Sequence, residues 1–225
     1  GERHLYTQDI VLLGGGGHCK SVLDTVIRNK RYKEIYVTDP HIPAGTLISD
    51  KATVIGSDKA LLSLYEKGTR NAFITVGVIN PSPVRNKLYT YASGLGFYFP
   101  NLFDPSAVIS AAVRLGEDEK REKNGRGGGI FVGKLAAINA EAVIGECCII
   151  NTAAVIEHEC VVGAFTHISV GAILCGQVSV GYNSFIGAGS TVRQGVKIGN
   201  NVLVGANSLV LRDVKDGEKV VGIVK

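Results

Sequence analysis

Two histidines within one small, apolar stretch are the side chains of this sequence best suited to proton transfer. His158 is followed directly by Glu159, and His167 lies nine residues after His158 in the segment "NTAAVIEHECVVGAFTHISVGA", residues 151–172. An imidazole ionises near neutral pH, so it can take a proton from an amine or hydroxyl that attacks a carbonyl. A carboxylate on the other ring nitrogen fixes the tautomer and stabilises the imidazolium. The pair at 158–159 is therefore a candidate general base with an acidic partner.

A six-residue repeat contains this stretch and must position it. Every sixth residue over 132–210 is Val, Ile or Leu, and a small or slim residue stands four positions later. Neither a helix nor a strand has this period, but a hexapeptide unit of one short strand and one corner does. The sequence predicts a parallel β-helix of about eighteen residues per coil, with branched aliphatics inside and Gly or small residues permitting each bend. The aliphatic series is Val132, Ile138, Ile144, Ile150, Ile156, Val162, Ile168, Leu174, Val180, Ile186, Val192, Ile198, Val204 and Val210.

The repeat begins less regularly. Val108 fits the phase of the series, whereas Leu115 stands one residue out of phase. The segment "EDEKREKNGRGGG", residues 117–129, is too charged to fill a coil interior, so we expect a solvated loop that leaves a corner of the β-helix. The alternative is a loop that binds a ligand phosphate through Lys120, Arg121 or Arg126.

The phase of the repeat constrains what the two histidines can do. His158 and His167 fall in neither inward register, so both are predicted to project from the coil, and core packing is the weaker alternative. Zinc is a second alternative, but the sequence has no tight cluster of ligands, and we predict no metal. Cys160 is a conceivable nucleophile, although its place in the small inward register argues against this role.

The first hundred residues alternate strand and helix patterns, which predicts a small parallel sheet of Rossmann type. The turn Gly14–Gly17 lies between an apolar strand and an amphipathic helix, where backbone N–H groups can approach a diphosphate. It lacks the third glycine of a full dinucleotide motif, so a turn needed only for packing remains open. Asp39 ends the second predicted strand and could accept hydrogen bonds from a ribose or base, or serve as a turn carboxylate.

Composition and charge exclude several classes of protein. The chain of 225 residues has 24 Lys and Arg against 20 Asp and Glu, a net charge of +4, and no dense basic stripe of the kind that binds nucleic acid. No apolar run approaches the length of a membrane span, and no signal-peptide pattern is present. The five cysteines form no CxxC pair. We therefore expect a cytoplasmic protein with reduced, structural cysteines.

Together, the Gly-rich α/β half and the hexapeptide half resemble the sialic acid O-acetyltransferase (NeuD-type) family. The stretch at 151–172 is most similar to the bacterial UDP-4-amino-sugar N-acetyltransferases of the bacillosamine pathway. The resemblance implies a Rossmann-like nucleotide-sugar-binding domain over residues 1–103 and a left-handed parallel β-helix over residues 104–225. It also implies acetyl-CoA as cosubstrate, a homotrimer, and transfer to the 4-amino group of a UDP-linked 4-amino-4,6-dideoxy sugar.

The resemblance also implies roles for individual residues. His158 matches the general base and Glu159 the acidic neighbour that raises its basicity. The positions that match acetyl-CoA contacts, with the backbone N–H of Gly176 near the thioester oxygen, are Asn151, His167, Gly176, Ala188 and Ala206. Those that match the nucleotide-sugar pocket are Gly16, Gly17, His18, Asp39, Pro40 and Gly77.

The chain departs from the family pattern in the charged segment 117–129, in its ending "VVGIVK" and at Asp104, and two alternative functions stay open. Many O-acetylating relatives have Asp where this chain has Glu159, which favours N-acetylation, and Asp104 stands where a His is common before Pro-Ser. O-acetylation of sialic acid or another sugar is the alternative activity, and a non-catalytic scaffold is the alternative class. Nine of about eighteen residues in a coil separate His158 from His167. They should therefore lie on opposite sides of one chain and meet only across a subunit boundary.

Overall fold

A computed structural model describes residues 8–116 and 128–225, and it begins with an α/β domain. The strands of this domain are β1 (Gln8–Leu13), β2 (Tyr32–Thr38), β3 (Leu47–Ser49), β4 (Ala52–Gly56) and β5 (Asn71–Ile74). The helices are α1 (Gly17–Asn29), a 3-10 turn (Asp58–Ala60), α2 (Leu61–Glu66) and α3 (Val84–Gly94). The strand order is β3-β4-β2-β1-β5, and all neighbours are parallel except β3 and β4.

The sequence of β1 and α1 explains their central place. The last four residues of β1 are buried, as expected for a strand covered on both faces. Helix α1 buries Cys19, Val22, Leu23 and Val26, whose spacing of three and four residues forms one apolar stripe. The chain adds β2 on one side of β1 and β5 on the other. The carboxyl ends of β1 and β5 therefore form a topological switch point, where α/β sheets bind ligands.

The rest of the chain forms a left-handed parallel β-helix, which confirms the predicted fold class. Partner residues in successive coils are eighteen positions apart, as with Ile150 and Ile168. Sheet 1 contains β6 (Leu102–Phe103), β9 (Phe131–Val132), β12 (Ile149–Ile150), β15 (His167–Ile168), β18 (Phe185–Ile186), β21 (Leu203–Val204) and β23 (Lys219–Val220). Sheet 2 contains β7 (Val108–Ile109), β10 (Ala137–Ile138), β13 (Val155–Ile156), β16 (Ile173–Leu174), β19 (Thr191–Val192), β22 (Leu209–Val210) and β24 (Ile223–Val224). Sheet 3 contains β8 (Arg114–Leu115), β11 (Val143–Ile144), β14 (Val161–Val162), β17 (Ser179–Val180) and β20 (Lys197–Ile198).

The interior of the β-helix is the one predicted from the repeat. Each of the aliphatic residues at six-residue spacing from Val132 to Val210 is buried, and so are the small residues four positions later. The bends, however, do not depend on the glycines that follow the aliphatics. A left-handed backbone occurs three residues after the aliphatic, for example at Leu135 and Glu159. Glycines such as Gly145 instead allow close approach, because a Cβ there would lie 2.5 Å from the backbone of the next coil.

The phase predicted for the first coil was wrong. Val108 points outward and is 70% exposed, whereas Ile109 pairs with the inward Ile138 and Leu115 pairs with the inward Ile144. Leu115 is therefore in phase, and Val108 is not. The alternative roles of Lys120, Arg121 and Arg126 fall within residues 117–127, outside the described residues.

One face of the β-helix is covered by the α/β domain. Leu102, Phe131 and Ile149 lie on the outer side of sheet 1 and pack into the same apolar cluster as α1 and the central strands. The strand β6 at Leu102–Phe103 already pairs with β9, so the β-helix sheets begin next to the boundary placed at 103/104. The two halves of the chain therefore share a core.

A buried carboxylate reinforces this junction. The side chain of Asp104 is fully buried and accepts hydrogen bonds from Arg28 Nη1 at 2.8 Å, Thr25 Oγ1 at 3.1 Å and Ser106 Oγ at 2.6 Å. Lys134 Nζ lies 3.4 Å from the same carboxylate. Burial acts to raise the pKa of Asp104, but these hydrogen bonds and charges hold the pKa well below its usual range. These four side chains thus stabilise the buried carboxylate of Asp104 in its ionised form.

Over residues 8–116 and 128–225, no helix is both long and apolar enough to span a bilayer.

Candidate active site

His158 and Glu159 form a hydrogen-bonded pair at the corner between sheets 2 and 3. His158 Nδ1 lies 3.0 Å from Glu159 Oε2, and the same oxygen accepts a hydrogen bond of 3.2 Å from Gln177 Nε2 in the next coil. The carboxylate accepts, so Nδ1 carries the proton and Nε2 keeps its lone pair. Both side chains are about half exposed, at 49% and 48%. His158 therefore projects from the coil with the tautomer that a general base requires.

Gly176 lies directly beneath the imidazole of His158. A Cβ at Gly176 would stand 2.6 Å from both Cε1 and Nε2 of His158. In other turns, the N–H at the equivalent position is bonded to a side chain, as Thr152 N–H is to Asn151 Oδ1. Cys175 precedes Gly176, and within the described part of the chain the N–H of Gly176 donates no hydrogen bond. An N–H beside the imidazole is thus available to an oxyanion.

His167 also projects from its coil, but it is not exposed. It lies on the outer side of sheet 1, where the α/β domain covers it and leaves it 7% accessible. Its Nδ1 donates to the carbonyl of Val78 at 2.9 Å, and its Nε2 lies 3.1 Å from Asn151 Nδ2. Burial lowers the pKa of His167 to about 4; the hydrogen bond to Val78 opposes this shift and the charge of Arg85 adds to it. His167 is thus a neutral imidazole with both nitrogens engaged inside the chain.

His18 lies beside His167 at the same junction. Its ring packs edge-on against Phe131, with centroids 5.2 Å apart. Burial, with the nearby Arg85 and His167 adding to it, lowers the pKa of His18 to about 3, so the ring is neutral. His18 Nε2 is buried and, among the described residues, has no hydrogen-bond partner. An unpaired polar atom here is notable because buried polar groups are normally bonded.

The Gly-rich turn separates into glycines needed for packing and glycines that are not. Gly14 has a φ of +116°, and a Cβ there would stand 2.7 Å from Val76. A Cβ at Gly77 would stand 2.9 Å from His18. A Cβ at Gly16 or Gly17 would meet nothing within 4 Å. Packing therefore explains the first glycine, whereas Gly16 and Gly17 border open space at the start of α1.

Asp39 holds the same turn in place. Its carboxylate accepts hydrogen bonds from the N–H groups of Gly15 at 2.9 Å, His41 at 2.8 Å and Ile42 at 3.2 Å. Partial burial acts to raise the pKa of Asp39, but these hydrogen bonds outweigh it and lower the pKa. The carboxylate acts as the turn residue that the sequence left as one alternative. Pro40 follows it at the exposed rim of the turn.

The candidate residues thus form two groups on opposite sides of one chain. His18, which lies against Gly77, is close to His167 and its partner Asn151 where the α/β domain covers sheet 1. The pair at 158–159 and Gly176 lies at the corner opposite that sheet. At the corner between sheets 1 and 2, four residues stand one above another at eighteen-residue spacing, two of them alanines: Thr152, Val170, Ala188 and Ala206.

The alternatives of a metal site and of a nucleophilic Cys160 gain no support from the described residues. In the two described ranges, no cluster of three or more His, Cys, Asp or Glu side chains could hold a metal ion. Cys160 is buried, its Sγ donates to the carbonyl of Cys175 at 3.1 Å, and burial raises the pKa of Cys160 to about 11. A thiol in this state is a poor nucleophile.

One groove lies away from all of these residues. It has a volume of about 920 Å³ and includes Gln8 and Asn71, which begin β1 and β5. This is the amino end of the sheet, opposite the Gly-rich turn. The switch point is the better candidate for a ligand site, because ligands of parallel sheets bind at the carboxyl ends of the strands.

Sequence patterns did not identify three residues that lie close to the candidate groups: Gln177, Phe131 and Arg85. Gln177 stands eighteen residues after Glu159, so the coil length alone could have placed it above the carboxylate. Phe131 immediately precedes an inward position, so the repeat predicts that it points outward, but not that a domain covers it. No periodic signal marks Arg85, because its partners come from β5 and from the β-helix.

Two families of known domains match the sequence. The PglD N-terminal domain matches residues 9–92, and the hexapeptide repeat of succinyl-transferase matches residues 177–212. No curated protein sequence matches the chain significantly.

Solved structures match over almost the whole chain. The acetyltransferase domain of PglB from Neisseria gonorrhoeae, in complex with acetyl coenzyme A, is 31% identical with a TM-score of 0.84, over 96% of this chain and 96% of that chain. PerB from Caulobacter crescentus, in complex with CoA and GDP-perosamine, is 36% identical with a TM-score of 0.82, over 96% and 95%. A histidine-to-asparagine mutant of the perosamine N-acetyltransferase from Caulobacter crescentus, with the same two ligands, is 36% identical with a TM-score of 0.83, over 96% and 94%. The chain therefore belongs to the NeuD/PglD-type family of hexapeptide-repeat sugar acetyltransferases.

Proposed function

We propose that this enzyme transfers acetyl from acetyl-CoA to the 4-amino group of a UDP-linked 4-amino-4,6-dideoxy sugar, with His158 as general base. The observation that carries the proposal is the pair at 158–159. Nδ1 of His158 lies 3.0 Å from Glu159, and Nε2 is an acceptor beside the backbone of Gly176, whose N–H donates to no other described residue. A scaffold requires neither feature. The relatives with bound CoA and GDP-perosamine support a nucleotide-linked amino sugar as the acceptor.

The proposed reaction is a direct transfer. His158 Nε2 takes a proton from the amine as the amine nitrogen forms a bond to the thioester carbonyl carbon. The N–H of Gly176 donates to the oxygen that gains negative charge, and Glu159 stabilises the imidazolium. When the carbon–sulfur bond breaks, the imidazolium returns the proton to the departing thiolate. The products are the amide and free CoA thiol, and His158 ends neutral.

The two substrates fit different parts of the chain. Gly16 and Gly17 expose the start of α1 to open space, which suits the diphosphate of a nucleotide sugar. The small side chains of Ala188 and Ala206 would let the pantetheine of acetyl-CoA lie close to the coil backbone. With His158 on the opposite corner, we propose a homotrimer in which each site lies between two subunits. The exposed apolar column on sheet 2, which contains Val108, Ile173, Leu209 and Ile223, supports contact between copies.

An acyl-transfer assay with a matched panel of acceptors tests this proposal. CoA thiol release is measured with UDP- and GDP-linked 4-amino sugars, their 4-hydroxy counterparts, and sialic acid. We expect release with the amino sugars, with UDP preferred, and none with the hydroxyl acceptors. Preference for the GDP-linked sugar would follow the perosamine N-acetyltransferase, and preference for sialic acid would establish the O-acetyl alternative. No release with any acceptor would favour a scaffold.

The contact between His158 and Gly176 leads to a prediction on turnover. The backbone at Gly176 does not adopt a positive φ, so Gly176→Ala leaves the fold and the N–H intact. The added methyl group must push the imidazole aside, because it would stand 2.6 Å from Nε2. We expect kcat to fall about tenfold or more, since small displacements of a catalytic group are costly. Steady-state kinetics with saturating substrates measure this.

A double-mutant cycle separates displacement of the ring from any other effect. In a His158→Ala background the clash is absent, so adding Gly176→Ala should change the residual rate by less than about twofold. A tenfold loss that persists without the imidazole would show that Gly176 acts independently of His158.

The open space at Gly17 leads to a prediction on binding. Gly17→Leu is compatible with the helical backbone but places a bulky side chain where the diphosphate is proposed to lie. We expect KM for the nucleotide sugar to rise about tenfold or more, which corresponds to a loss of about 1.4 kcal/mol of binding free energy. KM for acetyl-CoA should change little. Gly94→Leu, at an exposed and equally open position in α3, is the control. A selective rise in KM for acetyl-CoA would contradict the assignment.

A further inference from the structure

Arg85 is a buried cation at the junction of the two halves of the chain. It lies on α3 and is 2% exposed. Its Nη1 donates to the carbonyls of Val76 at 2.8 Å and Ile74 at 3.4 Å, and its Nη2 donates to the carbonyl of Cys147 at 2.8 Å. Burying a guanidinium is costly even when backbone carbonyls receive it. A charge buried at this junction therefore calls for a reason beyond packing.

The three carbonyls belong to two segments that the guanidinium holds together. Ile74 ends β5, and Val76 lies in the loop that follows it. Cys147 occupies the left-handed position of a β-helix turn, with a φ of 55°. Arg85 thus clamps the loop after β5 against the β-helix. Planar guanidinium groups suit this task because their donors diverge in a fixed geometry.

The clamped loop in turn contacts both histidines of the junction. The next two residues after Val76 are Gly77, which lies against His18, and Val78, whose carbonyl accepts the Nδ1–H of His167. Movement of this loop would break the bond that holds His167 in its Nδ1–H form. It would also free the ring of His18, whose Nε2 has no partner within the described residues.

The charge of Arg85 acts in the same direction as its contacts. It lies close enough to both imidazoles to add to the lowering of the pKa values of His18 and His167 that burial causes. A neutral His167 can donate from Nδ1 and accept at Nε2, as its two contacts require. Geometry and charge therefore favour a single protonation state.

We propose that Arg85 is a positioning residue for acetyl transfer: it clamps the loop after β5 to the β-helix and so fixes the tautomer of His167 and the orientation of His18. The inference rests on the proposed function and on the roles that the family resemblance implies, which place His167 beside acetyl-CoA and His18 in the nucleotide-sugar pocket. It assigns Arg85 no contact with either substrate.

The test compares Arg85→Met, which removes the charge and the donors, with Arg85→Lys, which keeps the charge. Arg70→Met is the matched control, since Arg70 also donates to backbone carbonyls but lies at the other end of the sheet. Imidazole ¹⁵N chemical shifts report the tautomer of His167, and steady-state kinetics report kcat and KM. In Arg85→Met we expect mixed tautomers at His167 and a fall in kcat of about tenfold or more. Arg85→Lys should recover part of both, and Arg70→Met should change neither.

The ¹⁵N measurement does not depend on activity, so it separates this inference from the proposed function. A folded Arg85→Met protein with an unchanged His167 tautomer and kcat within about twofold of the native value would overturn the positioning role. If Arg85→Met fails to fold, Arg85→Lys decides, and native tautomer and kinetics in that variant would overturn it equally. An inactive native enzyme with a shifted tautomer in Arg85→Met would instead count against the proposed function alone.

Discussion

Replacing His158 with Ala is expected to lower kcat by about a hundredfold or more, the usual contribution of a positioned general base. The fold should be unaffected, because the side chain projects from a corner of the β-helix and is 49% exposed. Its strongest contact is the hydrogen bond to Glu159, which is itself half exposed. The measurement is initial rate at saturating acetyl-CoA and saturating acceptor, together with thermal unfolding.

Two further variants test whether a fall in kcat in His158→Ala comes from the loss of the general base. Glu159→Gln keeps the size of the side chain but removes the charge that stabilises the imidazolium, so it should reduce kcat less than loss of the imidazole does. His41→Ala removes another exposed histidine, near Asp39, and should leave kcat unchanged. Turnover of His158→Ala within a few fold of the native rate would remove His158 from the proposed role.

The interior of the β-helix could be predicted because a branched aliphatic residue at every sixth position is enough to define it. Each coil pairs with the next through identical registers, so the aliphatic residues from Val132 to Val210 stack in sequence order. The first coil was assigned the wrong phase because residues 117–129 interrupt the count before the regular series begins. Only the pairing of Ile109 with Ile138 and of Leu115 with Ile144 fixes the register there.

The positions of side chains relative to the coil were predictable, but their surroundings were not. The six-residue period places both His158 and His167 outside the interior and does not distinguish between them. One is half exposed and the other is 7% exposed, because the α/β domain covers sheet 1 but not the opposite corner. This difference depends on docking between distant segments, such as Arg85 on Cys147. The short strands β3 and β4 also depend on tertiary contacts, because β4 pairs with β2 and β3 pairs only with β4 among the described strands.

Loss and recovery of activity in mixed oligomers gives the sharpest test of where the site lies. His158 and the Gly-rich turn are on opposite sides of one chain, so the proposed site combines His158 of one subunit with the nucleotide-sugar pocket of the next. His158→Ala and Gly17→Leu inactivate different halves of that site. Gly17→Leu is preferable to His167→Ala as the second variant. Removing His167 would leave the carbonyl of Val78 and the amide of Asn151 without their partner inside a buried junction.

In an equal mixture of the two variants, dissociated and reassociated, about a quarter of the clefts in a ring of three should combine an intact His158 with an intact pocket. Activity should therefore return to about a quarter of the native value, measured at a nucleotide-sugar concentration that leaves Gly17→Leu nearly inactive. A chain carrying both substitutions, mixed equally with native chains, is the control: about a quarter of the clefts stay active if sites are shared, and about half if each site lies within one chain. Native mass spectrometry verifies that mixed trimers have formed. Shared sites and sites within one subunit therefore predict activities that differ twofold in the control, and only shared sites predict recovery when the two variants are mixed. Verified mixed trimers that remain inactive would place the entire site within a single subunit.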